Sequence, residues 1–237
     1  MHVLFDLDGT LTDPKPGITK CISYALERLG LPTQDEDALS WCIGPPLRES
    51  FATILGTDDA QMIEAAIGFY RERFSSVGLY ENSVYPGIPE ALDELREFDL
   101  HVATSKPKVF AVRILFHLGL VQYLKSVNGS ELDGRREAKA EVIADAMDLK
   151  GIARSEAVMV GDRIHDITGA SANGIPCIGV AYGYGSRDEL ESAVAVCQAP
   201  ADLPATVRAV FADRHSSAVI PKTSMSNNSP SERTPSL

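Results

Sequence analysis

The chain has 237 residues, 44% hydrophobic and 23% charged, enough for one sizeable core or a core plus a small second domain. Its net charge of -11 argues against a nucleic acid polymer or an anionic membrane as partner, yet does not exclude a small phosphorylated molecule, since a local metal ion can invert the field in one cleft. No apolar run is long enough to span a bilayer, the four cysteines lack C-x-x-C spacing, and aspartates at positions 6 and 8 fit no secretory leader, so a reducing cytoplasm is expected.

The first predicted strand, His2–Phe5, runs straight into Asp6-Leu7-Asp8-Gly9-Thr10. Side chains alternate along a strand, so Asp6 and Asp8 point the same way, and Gly9 permits an immediate tight turn. Alone, such a D-x-D is more often a polar turn. Followed by matching pieces downstream, it is how a strand end delivers two carboxylates to a cation or a phosphoryl group.

From Pro14 to about Glu81 the pattern is helical only. Ile18, Cys21, Ile22, Ala25, Leu26 and Leu29 have helical spacing, and Ala38–Cys42, Leu47–Leu55 and Ala60–Phe74 are further predicted helices. Gly44-Pro45-Pro46 is a loop that would lie over an active site, with Arg48 placed to reach a substrate or to stay solvated. Trp41, the single tryptophan, is expected in the core. The connections near 13–17 and 82–87 have the geometry of a hinge.

Strands then alternate with helices. Predicted strands are Leu100–Thr104, Leu124–Asn128, Ala157–Val160 and Pro176–Val180; predicted helices are Ile88–Phe98, Lys108–Leu118, Ala138–Leu149 and Ile164–Ala172. This rhythm predicts an α/β fold, a doubly wound parallel sheet of Rossmann type with an inserted all-α cap. The expected division is a catalytic core of residues 1–13 and 82–211, a cap of residues 14–81, and a disordered Ser/Pro/Asn-rich tail at 212–237.

Three further positions carry chemistry. Thr104 and Ser105 end a strand just before Pro107, where hydroxyls and free N–H groups suit a phosphate oxygen, although Ser and Thr are also common helix caps. Lys139 opens a helix; Arg135, Arg136 and Lys106 compete with it for a phosphate-binding role. Gly161-Asp162 follows an apolar strand, and Asp166 comes one helical turn later, so both carboxylates can face one side. With Asp6 and Asp8 they supply oxygen ligands suited to Mg2+.

Together Asp6-Leu7-Asp8-Gly9-Thr10, Thr104, Lys139 and Gly161-Asp162…Asp166 resemble the four motifs of the haloacid dehalogenase superfamily. The resemblance covers residues 1 to about 211. The insertion resembles that superfamily's helical cap, and the pattern is most similar to its phosphoglycolate-phosphatase-like branch. Trp41 to Leu47, Gly129 to Gly134 and Gly161 to Asp166 are most similar to bacterial members assigned as 5′-nucleotidases. The resemblance implies Asp6 as nucleophile, Asp8 as general acid and base, and Thr104, Ser105 and Lys139 as phosphate-binding residues. It also implies Mg2+ held by Asp6, the backbone carbonyl of Asp8 and Asp162, with Asp166 behind them. The sequence departs from the usual pattern at Ala140, where proline is common after the lysine, and at Arg163, where a small hydroxyl residue is common.

The expected activity is therefore Mg2+-dependent hydrolysis of a phosphomonoester, with a 5′-nucleotide preferred and phosphoglycolate as the alternative. A sugar-phosphate mutase shares all four motifs, and a non-catalytic binding protein on this fold would normally lack Asp6 or Asp8. A phosphonatase needs a cap lysine, and Lys20 alone lies within the cap helices proper. A monomer or a homodimer is expected.

Overall fold

The computed structural model describes residues 1–218. Six parallel strands form the main sheet: β1 (His2–Phe5), β4 (Asp99–Pro107), β5 (Ser126–Ser130), β6 (Ala157–Gly161), β7 (Cys177–Val180) and β8 (Ala195–Cys197), in the order β5-β4-β1-β6-β7-β8. The chain fills the sheet outward from β1 in one direction, then from β6 in the other. The order reverses between β1 and β6, the place where open α/β sheets bind ligands at the carboxyl ends of their strands.

Strand alternation sorts the core. Val3 and Phe5 of β1 and Val158 and Val160 of β6 face one side, with α4 (Ile88–Glu94), α5 (Lys108–His117) and α8 (Leu203–Ala218). Leu4 and Met159 face the other side, with α6 (Lys139–Lys150) and α7 (Ile164–Ala172). The predicted parallel sheet with flanking helices is thus the observed fold.

Between β1 and β4 lie α1 (Lys15–Arg28), α2 (Leu47–Leu55) and α3 (Ala60–Phe74). Two short strands, β2 (Thr12–Asp13) and β3 (Ser83–Val84), pair antiparallel where this segment leaves and rejoins the sheet. The segment's inner residues, among them Ile22, Phe51, Ile67 and Phe74, continue the cluster that holds Val3 and Phe110.

Several boundaries differ from the sequence expectation. The helix after Gly87 ends at Glu94, and the turn that follows stacks Phe98 on Phe211 of α8 at 5.3 Å between centroids. The expected helix at 38–42 is a short 3-10 turn, Ser40–Cys42; Leu39, Cys42 and Ile43 take its inner positions and Trp41 is left 40% exposed, not in the core. Strand β8 and helix α8 have no counterpart among the predicted elements. The disordered tail was expected from residue 212, but residues 212–218 are helical; residues 219–237 lie outside the described residues.

Candidate active site

Asp6 and Asp162 leave the carboxyl ends of β1 and β6, neighbours across the point where strand order reverses. The amide of Asp6 donates to Val160 O at 2.9 Å, so the two strands are still locked together where their carboxylates emerge. Asp6, Asp162 and Asp166 form a buried cluster whose oxygens lie within 4.8 Å of one another.

Each acid is oriented locally. Asp162 accepts from the Tyr184 amide at 2.8 Å and from the Thr10 hydroxyl at 3.2 Å. Asp166 caps α7 by accepting from the Arg163 amide at 3.0 Å. Backbone must come very near these groups: a Cβ on Gly161 would stand 2.2 Å from Asp166 Cγ, and one on Gly185 would stand 1.7 Å from Asp162 O. Only glycine fits such positions.

Lys139, at the first turn of α6, places Nζ 2.8 Å from both Asp6 Oδ1 and Asp166 Oδ1. These are ion pairs by distance; among the described residues neither oxygen has a hydrogen-bond partner. Burial alone would lower Lys139, but Asp166 and Asp6 outweigh it and hold the ammonium above the usual lysine range. Of the competing basic residues, the two arginines are engaged elsewhere: Arg135 pairs with Asp133, and Arg136 with Glu131 and Asp145.

Asp8 points into the same cavity with Oδ2 2.7 Å from Lys106 Nζ. Burial raises its pKa despite that lysine. Burial also raises Asp166, against Lys139, and with the nearby carboxylates raises Asp162 strongly. Among the described residues, four buried carboxylates thus gather about two ammoniums, and Asp6 Oδ1, Asp8 Oδ1 and Asp166 Oδ1 lack hydrogen-bond partners. An oxygen-rich, anionic, buried pocket short of positive charge fits a hard divalent cation.

Thr104 is buried on β4, not at a helix cap, and its hydroxyl accepts from the Lys106 amide at 3.3 Å. The β4–β5 register shifts between Thr104 and Pro107, so Ser105 and Lys106 are extra residues in the ladder, and both line the cavity. A bulge re-aims side chains in this way. Gly129 permits it, since a Cβ there would stand 2.5 Å from Lys106 O.

The cavity encloses about 80 Å³ above Asp6 and Asp8. Gly44, Pro45, Pro46 and Leu47 cover one side, as expected of that loop; Tyr70, Arg71 and Phe74 of α3, with Ile18, Cys42 and, from α5, Phe110, wall it further. Arg48 does not line it: its guanidinium pairs with Glu64 of α3 at the exposed surface. Arg71 of α3 does line it, and its guanidinium donates to Leu132 O at 2.9 Å. From the other side Arg163 donates to the carbonyls of Ile43 and Trp41 while Glu189 holds its Nε at 2.9 Å. From the sequence Lys106 is only a rival of Lys139, and Arg71, Glu189 and Tyr184 carry no signal, because nothing in their local sequence distinguishes them from surface residues.

The model of the haloacid dehalogenase-like hydrolases matches residues 3–180. A 5′-nucleotidase of Pseudomonas aeruginosa is 51% identical over 193 residues, 81% of this chain and 87% of that protein. A tyrosine-protein kinase, PtkA of Mycobacterium tuberculosis, is 39% identical over 80% of this chain; the match spans 65% of that protein, under two thirds of its length. The crystal structure of a predicted phosphatase from Clostridium acetobutylicum superposes with a TM-score of 0.84 and 41% identity, covering 88% of this chain and 98% of that one.

Proposed function

The chain belongs to the haloacid dehalogenase-like hydrolases and is a phosphoric monoester hydrolase, and we propose that it acts on a 5′-nucleotide, with Mg2+ and through an aspartyl-phosphate. The observation that carries the chemistry is the pair Asp6 and Asp8, buried on one cavity floor and engaged by different lysines. The nucleotide is supported by the Pseudomonas aeruginosa relative's name and by the aromatic wall of Tyr70, Phe74 and Phe110. Phosphoglycolate remains the alternative substrate, and a sugar-phosphate mutase the alternative reaction.

In this reading a carboxylate oxygen of Asp6 bonds to phosphorus as the ester P–O bond breaks. Asp8 gives its proton to the leaving oxygen, then takes one from the water that opens the acyl phosphate and frees Asp6. Lys139 keeps Asp6 aligned and offsets charge on the phosphoryl oxygens; Thr104 and Ser105 line the cavity, and their hydroxyls would donate to those oxygens. Asp6, the Asp8 carbonyl and Asp162 would hold Mg2+, with Asp166 beside them. When bound, that ion supplies the positive charge that lets a carboxylate approach a phosphate dianion.

The test is phosphate release from nucleotides, sugar phosphates, phosphoglycolate and phosphotyrosine, with Mg2+ and with EDTA. The expected result is Mg2+-dependent release, fastest from 5′-nucleotides. Release that survives chelation removes the metal assignment; a preference for phosphoglycolate removes the nucleotide. Transfer to an acceptor hydroxyl without free phosphate removes hydrolysis.

A further inference from the structure

Lys106 occupies an unusual position for a lysine. Its side chain is 7% exposed, and its ammonium sits between the Asp8 carboxylate at 2.7 Å and the face of Phe74, 4.7 Å from the ring centroid. Phe74 belongs to α3 of the inserted segment, whereas Asp8 and Lys106 belong to the sheet. The ring is itself fixed, stacked on Tyr70 at 5.2 Å and edge-on to Phe110 at 5.3 Å. Among the described residues Asp8 Oδ1 has no hydrogen-bond partner, so the rotamer of this acid is set from one side, through Oδ2 and Lys106.

We propose that Lys106 is a positioning residue for Asp8, and that Phe74 holds it in place only while the helical segment covers the site. This rests on Asp8 being the acid and base of the reaction. A lysine side chain has four rotatable bonds and pins a carboxylate poorly by itself. Backed by a ring face away from water, its ammonium is confined, and Asp8 is confined with it. Lifting α3 removes Phe74 and frees both. Closure of the insertion is thereby linked to the leaving-group step, and Oδ1 of Asp8 is left free for the ester oxygen. The link matters for alkyl esters, whose leaving oxygens need a proton. It matters little for an activated aryl ester, which departs without one.

The experiment compares kcat for a 5′-nucleotide and for p-nitrophenyl phosphate in wild type, Lys106→Met, Lys106→Arg, Phe74→Leu and the double variant Phe74→Leu/Lys106→Met. Lys106→Met is expected to lose about 30-fold or more on the nucleotide and less than about threefold on the aryl ester. Phe74→Leu should shift the ratio the same way by about fivefold, and should add less than about twofold once Lys106 is methionine. Lys106→Arg should restore part of the ratio, because a guanidinium also pairs with a carboxylate and stacks on a ring. Equal losses on both esters, or independent effects of Phe74 and Lys106, overturn the proposal. If Lys106→Met fails to fold, Phe74→Leu and Lys106→Arg decide by the same ratio. A wild-type protein that hydrolyses neither ester removes the phosphatase mechanism as well; one that hydrolyses both, with an unmoved ratio in the variants, removes this inference alone.

Discussion

A Cβ placed on Gly9 would stand 2.2 Å from Asp162 Oδ2, although the two residues lie on different strand ends. Gly9 has φ +82°, so the turn that lifts the chain away from Asp8 also leaves the gap into which Asp162 fits. Gly9→Ala is therefore expected to strain the turn and push Asp162 aside. Activity should fall at least about 100-fold and the Mg2+ needed for half activation should rise. Activity within threefold of wild type would show that Asp162 has room to move without consequence.

Asp6→Asn is expected to abolish turnover, by at least about 1,000-fold, while leaving the fold intact. The substitution keeps shape and removes one of the buried negative charges, so the melting temperature in the absence of Mg2+ should hold or rise. Phosphate release and calorimetry on the same sample check both halves. Residual turnover of more than a few per cent rules out a covalent role for this residue.

Mg2+ should stabilise the protein. Burial and the neighbouring carboxylates hold Asp162 and Asp166 above the ordinary range, so the cluster resists full ionisation without a cation. At about 100 times its dissociation constant, Mg2+ should contribute roughly 3 kcal/mol, or about 5–10 °C in melting temperature. The shift should vanish in Asp162→Asn. Ca2+ should also raise the melting temperature yet inhibit turnover, because it gathers more oxygen ligands, including those of the nucleophile. A melting temperature indifferent to Mg2+ contradicts the assignment of the cluster.

His101 should make stability fall in mild acid. It is 2% exposed, on β4, with Nδ1 2.8 Å from Ser126 Oγ and Nε2 3.1 Å from the His2 ring. Burial, with His2 beside it, pushes its pKa down to about 4. An unfolded histidine titrates near about 6.5. The contribution of the neutral ring is complete above that value and is lost as pH falls toward 4, amounting to about 3 kcal/mol. Urea midpoints at pH 7, 5.5 and 4.5 should drop less steeply in His101→Gln; an unchanged slope would place the acid sensitivity elsewhere.

Arg71 and Arg48 should behave oppositely. Arg71 lines the cavity and reaches Leu132 O, whereas Arg48 forms an exposed pair with Glu64. Arg48→Ala should change activity less than about twofold, since exposed pairs contribute little. Arg71→Ala should raise KM for the nucleotide about tenfold, with a smaller effect on a small aryl phosphate. The reverse order would mean that the helical segment meets substrate in a different position.

Much of this protein is written locally in its chain. Strand periodicity around Val3–Phe5 and Val158–Val160, with glycine and aspartate directly after each, located both ends of the carboxylate cluster, because alternation and turn chemistry act over a few residues. The helices at 15–28, 47–55 and 60–74 are legible for the same reason, whereas the one expected at 38–42 is only a 3-10 turn. What the sequence left open depends on residues far apart meeting. Lys106 reaches Asp8 because β4 lies beside β1 and a bulge, permitted by Gly129 on β5, turns it inward. Arg71 enters the cavity and Arg48 does not because α3 turns Tyr70, Arg71 and Phe74 toward the cavity, while Arg48 pairs with that helix at the surface. Trp41 is exposed because Leu39 and Ile43 fill the inside of its turn. Local patterns fixed which groups exist; strand order, the bulge and the packing of α3 decided which of them touch, since contact across many tens of residues has no signature in the spacing of neighbours.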